Sequence, residues 1–546
     1  MNSLRLVLAF VLSLVLSVYS APIAAAAVEA RPAAPNDPLW GEQWNLANKP
    51  GVAIDVREAW RYGRGKGVVI AVVDSGYVSH PEFEGRVLPG YDFISKPEVA
   101  NDGDGRDADP SDPGDWVTEA EASSGDFGEE CKAEDSSWHG THVAGIALAA
   151  ADNGIGIAGI APLAKLLPVR VVGKCGGSQG DLVDGMRWAA GLEVAGVPIN
   201  KNPADVINLS LGSQDPCSSR LQQAINEIAA LDIMMVAAVG NEGKDAASFS
   251  PANCTGTATV GALTVSGAFA SYSNFGSFVD LSAPGGDQNG YIVSTINTGK
   301  TTPTKPGYGR YSGTSAATPH LSGVLAIARG YDPLTPSDAL YEVLFTNLQP
   351  FSADLGSSSG CLLGLCGVGA LDAGRFLAAL EARPTPLFST TLPEKILFGG
   401  AAQGALLLDD QPATQVEVRT PTLCAWDGQE LRGLARGTCE LRITAPGSAL
   451  KKPFDSIATF IVGGLTPTLT QSLPSKLRVG ASARINPVTD SGGILTYKSR
   501  TSSICKVGAK GRVTALARGT CRVRVIVAAS GEYDQLRVTL TTTVRR

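Results

Sequence analysis

The stretch Gly67-Val-Val-Ile-Ala-Val-Val-Asp74 decides the fold class of this chain. It is continuously apolar until it ends at a carboxylate, a pattern typical of a strand covered on both faces within a parallel sheet. Four further apolar or β-branched runs predict strands over 165–172, 205–211, 233–239 and 258–263. Helical patterns lie between them over 141–151, 180–195 and 218–231. This alternation predicts an α/β domain over residues 36–383, with a parallel sheet flanked by helices.

After residue 383 the helical periodicity fades and a repeat begins. The hexapeptide LARGTC occurs at 434–439 and again at 516–521, and a cysteine precedes each copy, at Cys424 and Cys505. Both copies are rich in strand formers and turn residues. They predict two small all-β sandwiches, over 384–464 and 465–546, each closed by one disulfide. They resemble bacterial immunoglobulin-like repeats, and we expect them to bind a surface or a polymer.

Residues 1–27 have the layout of a secretory signal peptide. Arg5 precedes an apolar run over 6–18, and small residues follow at 24–27. The run is shorter than the roughly 20 residues of a membrane-spanning helix, so we expect cleavage after Ala27 rather than anchoring. Residues 28–35 then form a short segment before the α/β domain. The sequence thus predicts a secreted, extracellular protein that has no membrane contact in its mature form and is a monomer.

The ten cysteines support export because they fall into local pairs. In an oxidising compartment an even number at such spacing indicates disulfides, although the sequence alone does not fix the connectivity. Zinc ligation is the alternative, but there is no CxxC knuckle and no zinc-finger spacing to a histidine. The expected pairs are Cys131 with Cys175, Cys217 with Cys254, Cys361 with Cys366, Cys424 with Cys439, and Cys505 with Cys521.

The composition is that of a globular protein, with 44% hydrophobic and 18% charged residues in 546. The formal net charge is -7 and there is no Lys/Arg-rich block. The chain therefore lacks the electrostatic footprint that nucleic acid binding requires, and we expect no nucleic acid partner. A GxGxxG string at 154–159 follows a helical pattern and precedes a strand, the reverse of a dinucleotide site, so no organic cofactor is expected.

Four short motifs carry the chemistry of amide hydrolysis, which needs a nucleophile, a base, a group that orients the base, and donors for an oxyanion. Asp74 ends the first buried strand within VVDSG, and His139 opens HGTHVAG at the start of a helix. Ser315 lies in GTSAATPH at the start of another helix, where Pro319 is tolerated if it falls in the first turn. Asn241, in VGNEG, follows a strand, and its side-chain amide could donate a hydrogen bond to the oxyanion. His142, one turn after His139, is expected to pack against the sheet.

Each motif alone has an ordinary structural interpretation. Asp-Ser-Gly after a strand is usually a turn, Gly-Thr-Ser before a helix is usually a cap, and Asn-Glu-Gly is usually a loop. Two histidines at the HGTH spacing could instead be structural or bind a metal. The combination is far more specific than its parts.

Together, the four motifs resemble the subtilisin-like serine proteases in residue type, order and structural context. The resemblance runs from LWGEQW at 39–44 to CGVGALDA at 366–373. It implies that Asp74 orients His139, that His139 is general base and then general acid, that Ser315 is the nucleophile, and that Asn241 contributes to the oxyanion hole. It also implies that Ser210, Leu211 and Gly212, in INLSLG, pair with an extended protein or peptide substrate, although an ordinary core strand would look the same.

An acidic insert lies at 101–115 (NDGDGRDADPSDPGD). So many carboxylates in a Gly/Pro loop repel each other unless a cation gathers them, so calcium is the expected structural cofactor and a solvated acidic loop the alternative. The candidate ligands are Asp102, Asp104, Asp107, Asp109, Asp112 and Asp115.

The leading function is a secreted serine endopeptidase. One alternative is an inactive fold of the same family that serves for binding. Another is a serine hydrolase of a different kind, which the Asp, His, Ser order disfavours.

Overall fold

The computed structural model describes residues 28–546 except for 48, 50–51, 129–130, 352–363, 410, 413–414 and 471–472. The chain forms two compact units. The first runs to Thr385 and also includes Pro446–Pro453, and the second comprises Pro386–Ala445 and Phe454–Arg546. The predicted signal peptide at 1–27 lies outside the described residues.

A seven-stranded parallel sheet is the centre of the first unit, as predicted. Its strands are β1 (Val69–Asp74), β2 (Tyr91–Asp92), β3 (Lys165–Arg170), β4 (Val206–Leu209), β5 (Met234–Ala238), β6 (Ala258–Leu263) and β7 (Leu281–Pro284). Their order across the sheet is β2-β3-β1-β4-β5-β6-β7. A separate antiparallel hairpin consists of β8 (Ile292–Asn297) and β9 (Pro306–Tyr311).

Helices cover both faces of this sheet. The helices described in this unit are α1 (Val56–Ala59), α2 (Pro97–Ala100), α3 (Glu119–Ser124), α4 (His139–Leu148), α5 (Gln179–Ala189), α6 (Ser219–Ala229), α7 (Thr314–Tyr331), α8 (Ser337–Thr346) and α9 (Ala373–Ala382). Because side chains alternate along a strand, Ile70 and Val72 of β1 join the core with α4 and α7, while Ala71 and Val73 join the core with α5 and α6. The strand that opened the sequence analysis is therefore buried on both faces.

The second unit is all β and contains the same arrangement twice. The first copy has β10 (Phe388–Thr390), β11 (Lys395–Leu397), β12 (Ala401–Gln403), β13 (Leu406–Leu408), β14 (Gln411–Pro412), β15 (Gln415–Val418), β16 (Cys424–Trp426), β17 (Glu430–Gly433), β18 (Gly437–Ala445) and β19 (Phe454–Gly463). The second has β20 (Leu469–Thr470), β21 (Lys476–Arg478), β22 (Ser482–Arg484), β23 (Val488–Thr489), β24 (Leu495–Ser499), β25 (Cys505–Val507), β26 (Arg512–Ala515), β27 (Gly519–Val527) and β28 (Leu536–Arg545). The four-stranded sheets β11-β19-β18-β15 and β21-β28-β27-β24 correspond, as do the three-stranded sheets β12-β17-β16 and β22-β26-β25.

Four of the five expected cysteine pairs are disulfides. Cys424–Cys439 joins β16 to β18, and Cys505–Cys521 joins β25 to β27, so each bond links the two sheets of its copy. The other two are Cys131–Cys175 and Cys217–Cys254. Cys366 is also disulfide-bonded, but its expected partner Cys361 lies outside the described residues.

None of the helices in the described part of the chain combines the length and the apolar character needed to cross a bilayer.

Candidate active site

Asp74 and His139 meet at the carboxyl end of β1, where parallel sheets gather functional groups. His139 Nδ1 lies 2.8 Å from Asp74 Oδ1, which also accepts a 2.7 Å hydrogen bond from the Ser75 backbone N–H. Asp74 is buried, whereas about a third of the His139 side chain is exposed (32%). Burial lowers the pKa of His139, but the charge and hydrogen bond of Asp74 outweigh this, so the pKa is raised overall. The pair can therefore hold a proton on His139 that it takes from a neighbouring group.

The geometry of this pair depends on close contact between α4 and the turn after β1. Gly140 is the second residue of α4, and its N–H donates to Ser75 Oγ at 3.0 Å. A β-carbon on Gly140 would lie 2.2 Å from the carbonyl oxygen of Gly76 and 3.2 Å from the β-carbon of Asp74. Only glycine permits this approach, so Gly140 sets the distance between the Asp74 and His139 backbones.

Replacing Gly140 by alanine is expected to lower kcat/KM on a peptide substrate by about 100-fold, because a displacement of about 1 Å in a reacting group costs that much. Gly180→Ala is the matched control, since Gly180 also lies in a helix but its β-carbon would meet nothing closer than 3.6 Å. That variant should keep full activity. Steady-state kinetics on folded variants checks this. Equal activity of the two variants would show that the contact with Gly76 does not position His139.

Ser315 lies in the first turn of α7, as predicted, but Pro319 does not. Because α7 begins at Thr314, Pro319 falls in the second turn, which corrects the sequence expectation. Pro319 has no N–H to donate to the carbonyl four residues earlier, that of Ser315. The Ser315 carbonyl instead accepts a 2.8 Å hydrogen bond from Ser210 Oγ. The proline thus frees a carbonyl that ties the start of α7 to the segment after β4.

Asn241 follows β5 and lies beside Ser315. Its Oδ1 accepts from the backbone N–H of Thr314 at 2.8 Å and from Thr314 Oγ1 at 3.0 Å. These bonds fix the amide and leave Nδ2 to donate. A β-carbon on Gly313 would lie 3.2 Å from Ser315 Oγ and 3.6 Å from Asn241 Nδ2, so the hydroxyl and the amide border the same small space.

Asp74, His139, Ser315 and Asn241 all line one cleft of about 570 Å³. The predicted substrate residues Ser210, Leu211 and Gly212 line it as well. The first part of their sequence motif is β4, which pairs with β1 and β5 and is therefore a central strand. Only 210–212, which continue beyond the end of β4, face the cleft. The first residues of the motif thus form an ordinary core strand, and residues 210–212 are the ones available to a substrate.

The other histidines are buried and structural. His142 stacks on Tyr311 of β9 at 4.4 Å, and its Nε2 lies 3.2 Å from the carbonyl oxygen of Ile292 in β8. It therefore packs against the hairpin rather than the main sheet, and burial lowers its pKa to about 3. His320 Nδ1 lies 2.9 Å from the carbonyl oxygen of Ala316, and burial lowers its pKa to about 4.

The acidic insert supports the Asp74–His139 pair from two sides. Asp112 is buried and accepts from Ser75 Oγ at 2.9 Å, the same hydroxyl that Gly140 N–H contacts. Asp115 accepts from the Ser137 N–H at 2.7 Å and from Ser137 Oγ at 2.6 Å, two residues before His139. Sequence reasoning did not assign Ser75 or Ser137 a role; the serine inside the Asp-Ser-Gly motif was the available signal.

The carboxylates of this insert do not converge on a common point. Asp102 pairs with Arg170 at 2.6 Å, while Asp107 and Asp109 accept from backbone N–H groups two residues on. Within the described ranges no three acidic, histidine or cysteine side chains are arranged to hold a metal ion. The residues of the insert therefore do not fit the calcium site expected from their density, because each carboxylate has its own partner or faces solvent.

Arg170 holds the buried end of the insert. It is 1% exposed and pairs with Asp92, which is fully buried. Burial raises the pKa of Asp92 to about 7 although Arg170 opposes this. Arg170→Met would leave Asp92 unpaired. Removing one partner of a buried ion pair lowers the free energy of unfolding by about 3–5 kcal/mol.

This decrease in the free energy of unfolding is expected at pH 8. It should be smaller at pH 5, because Asp92 without Arg170 takes up a proton there and becomes neutral. Urea unfolding at both pH values measures it. Arg220→Met, which removes a pair at 3.0 Å whose arginine is 62% exposed, should change the free energy of unfolding by less than about 1 kcal/mol. The same loss at both pH values would show that the charge of Asp92 is not its cause.

Known proteins share this architecture. The subtilase family profile matches residues 65–363. An extracellular protease of Xanthomonas campestris pv. campestris is 42% identical over 345 residues, which cover 63% of this chain and 57% of the relative. An extracellular basic protease of Dichelobacter nodosus is 43% identical over 337 residues, which cover 60% of this chain and 54% of the relative. The chain thus spans little more than half the length of these curated relatives.

A solved protease structure from Pseudoalteromonas arctica is 43% identical, with a TM-score of 0.59, and the match covers 64% of this chain and 99% of that one. The family profile matches more than half of the chain and includes Asp74, His139, Asn241 and Ser315. The chain therefore belongs to the subtilase family.

Proposed function

We propose that the chain is a secreted serine endopeptidase that hydrolyses peptide bonds in proteins through an acyl-enzyme on Ser315. The observation that carries this proposal is the 2.8 Å contact between His139 Nδ1 and Asp74 Oδ1 in a cleft that Ser315 also lines. With Nδ1 bound to Asp74, Nε2 is the ring nitrogen left to accept the Ser315 proton. The names of the extracellular relatives agree with this function.

In this mechanism Ser315 Oγ attacks the carbonyl carbon of the substrate while His139 takes its proton. The carbonyl oxygen becomes an oxyanion, which accepts from Asn241 Nδ2 and from the Ser315 N–H, one of the free donors at the start of α7. The tetrahedral intermediate collapses, and His139 gives its proton to the leaving amine. Water then attacks the acyl group by the same route and releases Ser315. The Asp74 side chain orients His139 and stabilises the imidazolium.

We further propose that an extended substrate pairs with the backbone of 210–212. These residues lie beyond the end of β4, where β1 and β5 no longer pair with them. Ser210 Oγ connects this segment to the Ser315 carbonyl at 2.8 Å. A peptide on this edge would therefore be held at a fixed distance from the nucleophile.

The proposed organisation is a signal peptide at 1–27, a peptidase domain at 36–383, and two immunoglobulin-like repeats at 384–464 and 465–546. Support for the repeats comes from their matching sheets and from a disulfide at the same place in each.

The test is casein digestion together with labelling by a serine-directed phosphonate, located by peptide mass mapping. We expect casein hydrolysis to fall in proportion to labelling, and the label to be on Ser315. A simple ester is assayed in parallel. Hydrolysis of casein by fully labelled protein would contradict the proposal, and hydrolysis of the ester alone would indicate a different serine hydrolase.

A further inference from the structure

The second β copy is strongly basic although the whole chain is acidic. Residues 465–546 contain 14 Lys and Arg but 3 Asp and Glu, in a chain whose net charge is -7. The cations do not form a block in the sequence, because on β27 and β28 they alternate with buried or half-buried residues. Alternate residues of a strand point to the same face, so the fold gathers them.

This gathering creates what we call the basic face, the outward side of the sheet β21-β28-β27-β24. Along β27 the inward Val523 and Val525 are buried, and Arg522 and Arg524, which alternate with them, point outward. Lys476 and Arg500 extend the face at its ends. Its central cations are Arg478, Lys498, Arg522, Arg524, Arg537 and Arg545. The fold thus concentrates positive charge that a search for a Lys/Arg-rich block in the sequence does not find.

The cations of the basic face have no acidic partners among the described residues. None of the six takes part in an ion pair with another described residue, and no outward position of these four strands is Asp or Glu. Lys498 and Arg524 are directly opposite each other in neighbouring strands. Like charges in this position destabilise a sheet. The face therefore carries positive charge that no acidic side chain in the described part of the chain balances.

The first β copy shows that the fold itself does not need these cations. At the positions that correspond to Lys498, Arg522 and Arg537 it has Glu417, Glu440 and Asp455. Arg442, which corresponds to Arg524, pairs with Asp455 at 2.6 Å and with Glu417 at 3.8 Å. The same sheet is thus charge-balanced in one copy and uniformly cationic in the other.

We propose that the basic face binds a linear anionic polysaccharide. Its spaced cations match a chain of carboxylate or sulfate groups, and Thr539 and Thr541, which lie among them, offer hydroxyls to sugar oxygens. The outward positions of these strands include no aromatic side chain on which a base could stack, and the strands form one four-stranded sheet rather than the helix or two-stranded ribbon that enters a DNA groove. Ile526 is their one apolar residue, too little to insert into a lipid bilayer.

The test uses the full chain with Ser315→Ala, which prevents self-digestion, on immobilised heparin, polygalacturonate, neutral dextran and duplex DNA. Binding to heparin and polygalacturonate, but not to dextran, is expected, with an affinity that falls steeply as salt rises. The charge-reversed variant Lys498→Glu/Arg522→Glu/Arg537→Asp carries the residues of the first copy. It should weaken heparin binding at least about 100-fold at about 50 mM NaCl.

The matched control, Lys506→Glu/Lys510→Glu/Arg512→Asp, makes the same charge change on β25, β26 and the turn between them, in the other sheet of this copy, and should keep most of the affinity. Lys498→Glu alone should raise the unfolding temperature, since it introduces the ion pair that the first copy has at this position. The same substitution should weaken heparin binding. A weaker affinity in a more stable protein cannot be caused by misfolding. Equal affinity of the two triple variants, or failure to bind either acidic polysaccharide, would overturn the proposal. Tighter binding to duplex DNA than to heparin would overturn it in favour of nucleic acid. These results do not depend on the peptidase function.

Discussion

Ser315→Ala is expected to lower kcat/KM for a peptide substrate by about a million-fold, the loss seen when the nucleophile of such a triad is removed. Ser315 Oγ is the one group that forms a covalent bond in the proposed mechanism. Asn241 keeps its bonds to Thr314 in the variant, so the oxyanion site remains. A residual rate of about 1000-fold over water is therefore expected. Chromogenic peptide kinetics at high enzyme concentration measures both values.

The control for this experiment is Ser219→Ala, which removes an exposed hydroxyl from α6 and should leave kinetics unchanged. Because the triad acts as a unit, Ser315→Ala/His139→Ala should lose no more activity than Ser315→Ala. A further large loss in the double variant would mean that His139 acts independently of Ser315. A Ser315→Ala protein that keeps more than a thousandth of the activity would contradict the assignment of the nucleophile.

The positions of these side chains could be predicted because the signals are local. Asp74 ends a run that is apolar on both faces, and α4 begins at His139 where the glycine-containing motif begins. Predicted element ends were accurate to a few residues, with the largest difference at α5, expected to 195 but ending at Ala189. There the apolar pattern continues through Leu192 and Val194, which contact the core from the loop after the helix.

The acidic insert could not be interpreted from the sequence because its partners are distant along the chain. Carboxylate density predicts a cation site, but the structure brings Arg170 to Asp102 and Ser137 to Asp115. The hydroxyl of Ser75, which is adjacent to Asp74, donates a hydrogen bond to Asp112. These pairings depend on how β1, β3 and α4 assemble. A charge count over neighbouring residues does not contain that information.

The basic face was missed for the opposite reason. A search for consecutive Lys and Arg residues finds no run longer than two, since an apolar residue separates Arg522 from Arg524. A period-two search within the second repeat would have found it, because strand residues two apart share a face. The first copy provides the comparison, with Glu440 and Arg442 at the same two positions.

Asp74→Asn is expected to lower kcat/KM about 10,000-fold, the effect of converting the orienting carboxylate of a serine protease triad to an amide. Asp74 Oδ1 accepts from both the Ser75 N–H and His139, while Asp74 Oδ2 is buried without a hydrogen-bond partner among the described residues. If the amide nitrogen replaces Oδ1, it faces the Ser75 donor and forces His139 into the wrong tautomer. If it replaces Oδ2, an N–H₂ group is buried unpaired, and the charge that stabilises the imidazolium is lost.

The pH profile distinguishes this effect from misfolding. His139 must be neutral to accept a proton, so activity falls as the pH drops through its pKa. Asp74 raises that pKa against the opposing effect of burial. In Asp74→Asn the acid limb of kcat/KM should therefore move to lower pH while the plateau falls. Asp104→Asn removes the same charge from an exposed position in the acidic insert and should change neither, because solvent and salt screen it. An unchanged acid limb in Asp74→Asn would show that Asp74 does not set the protonation of His139.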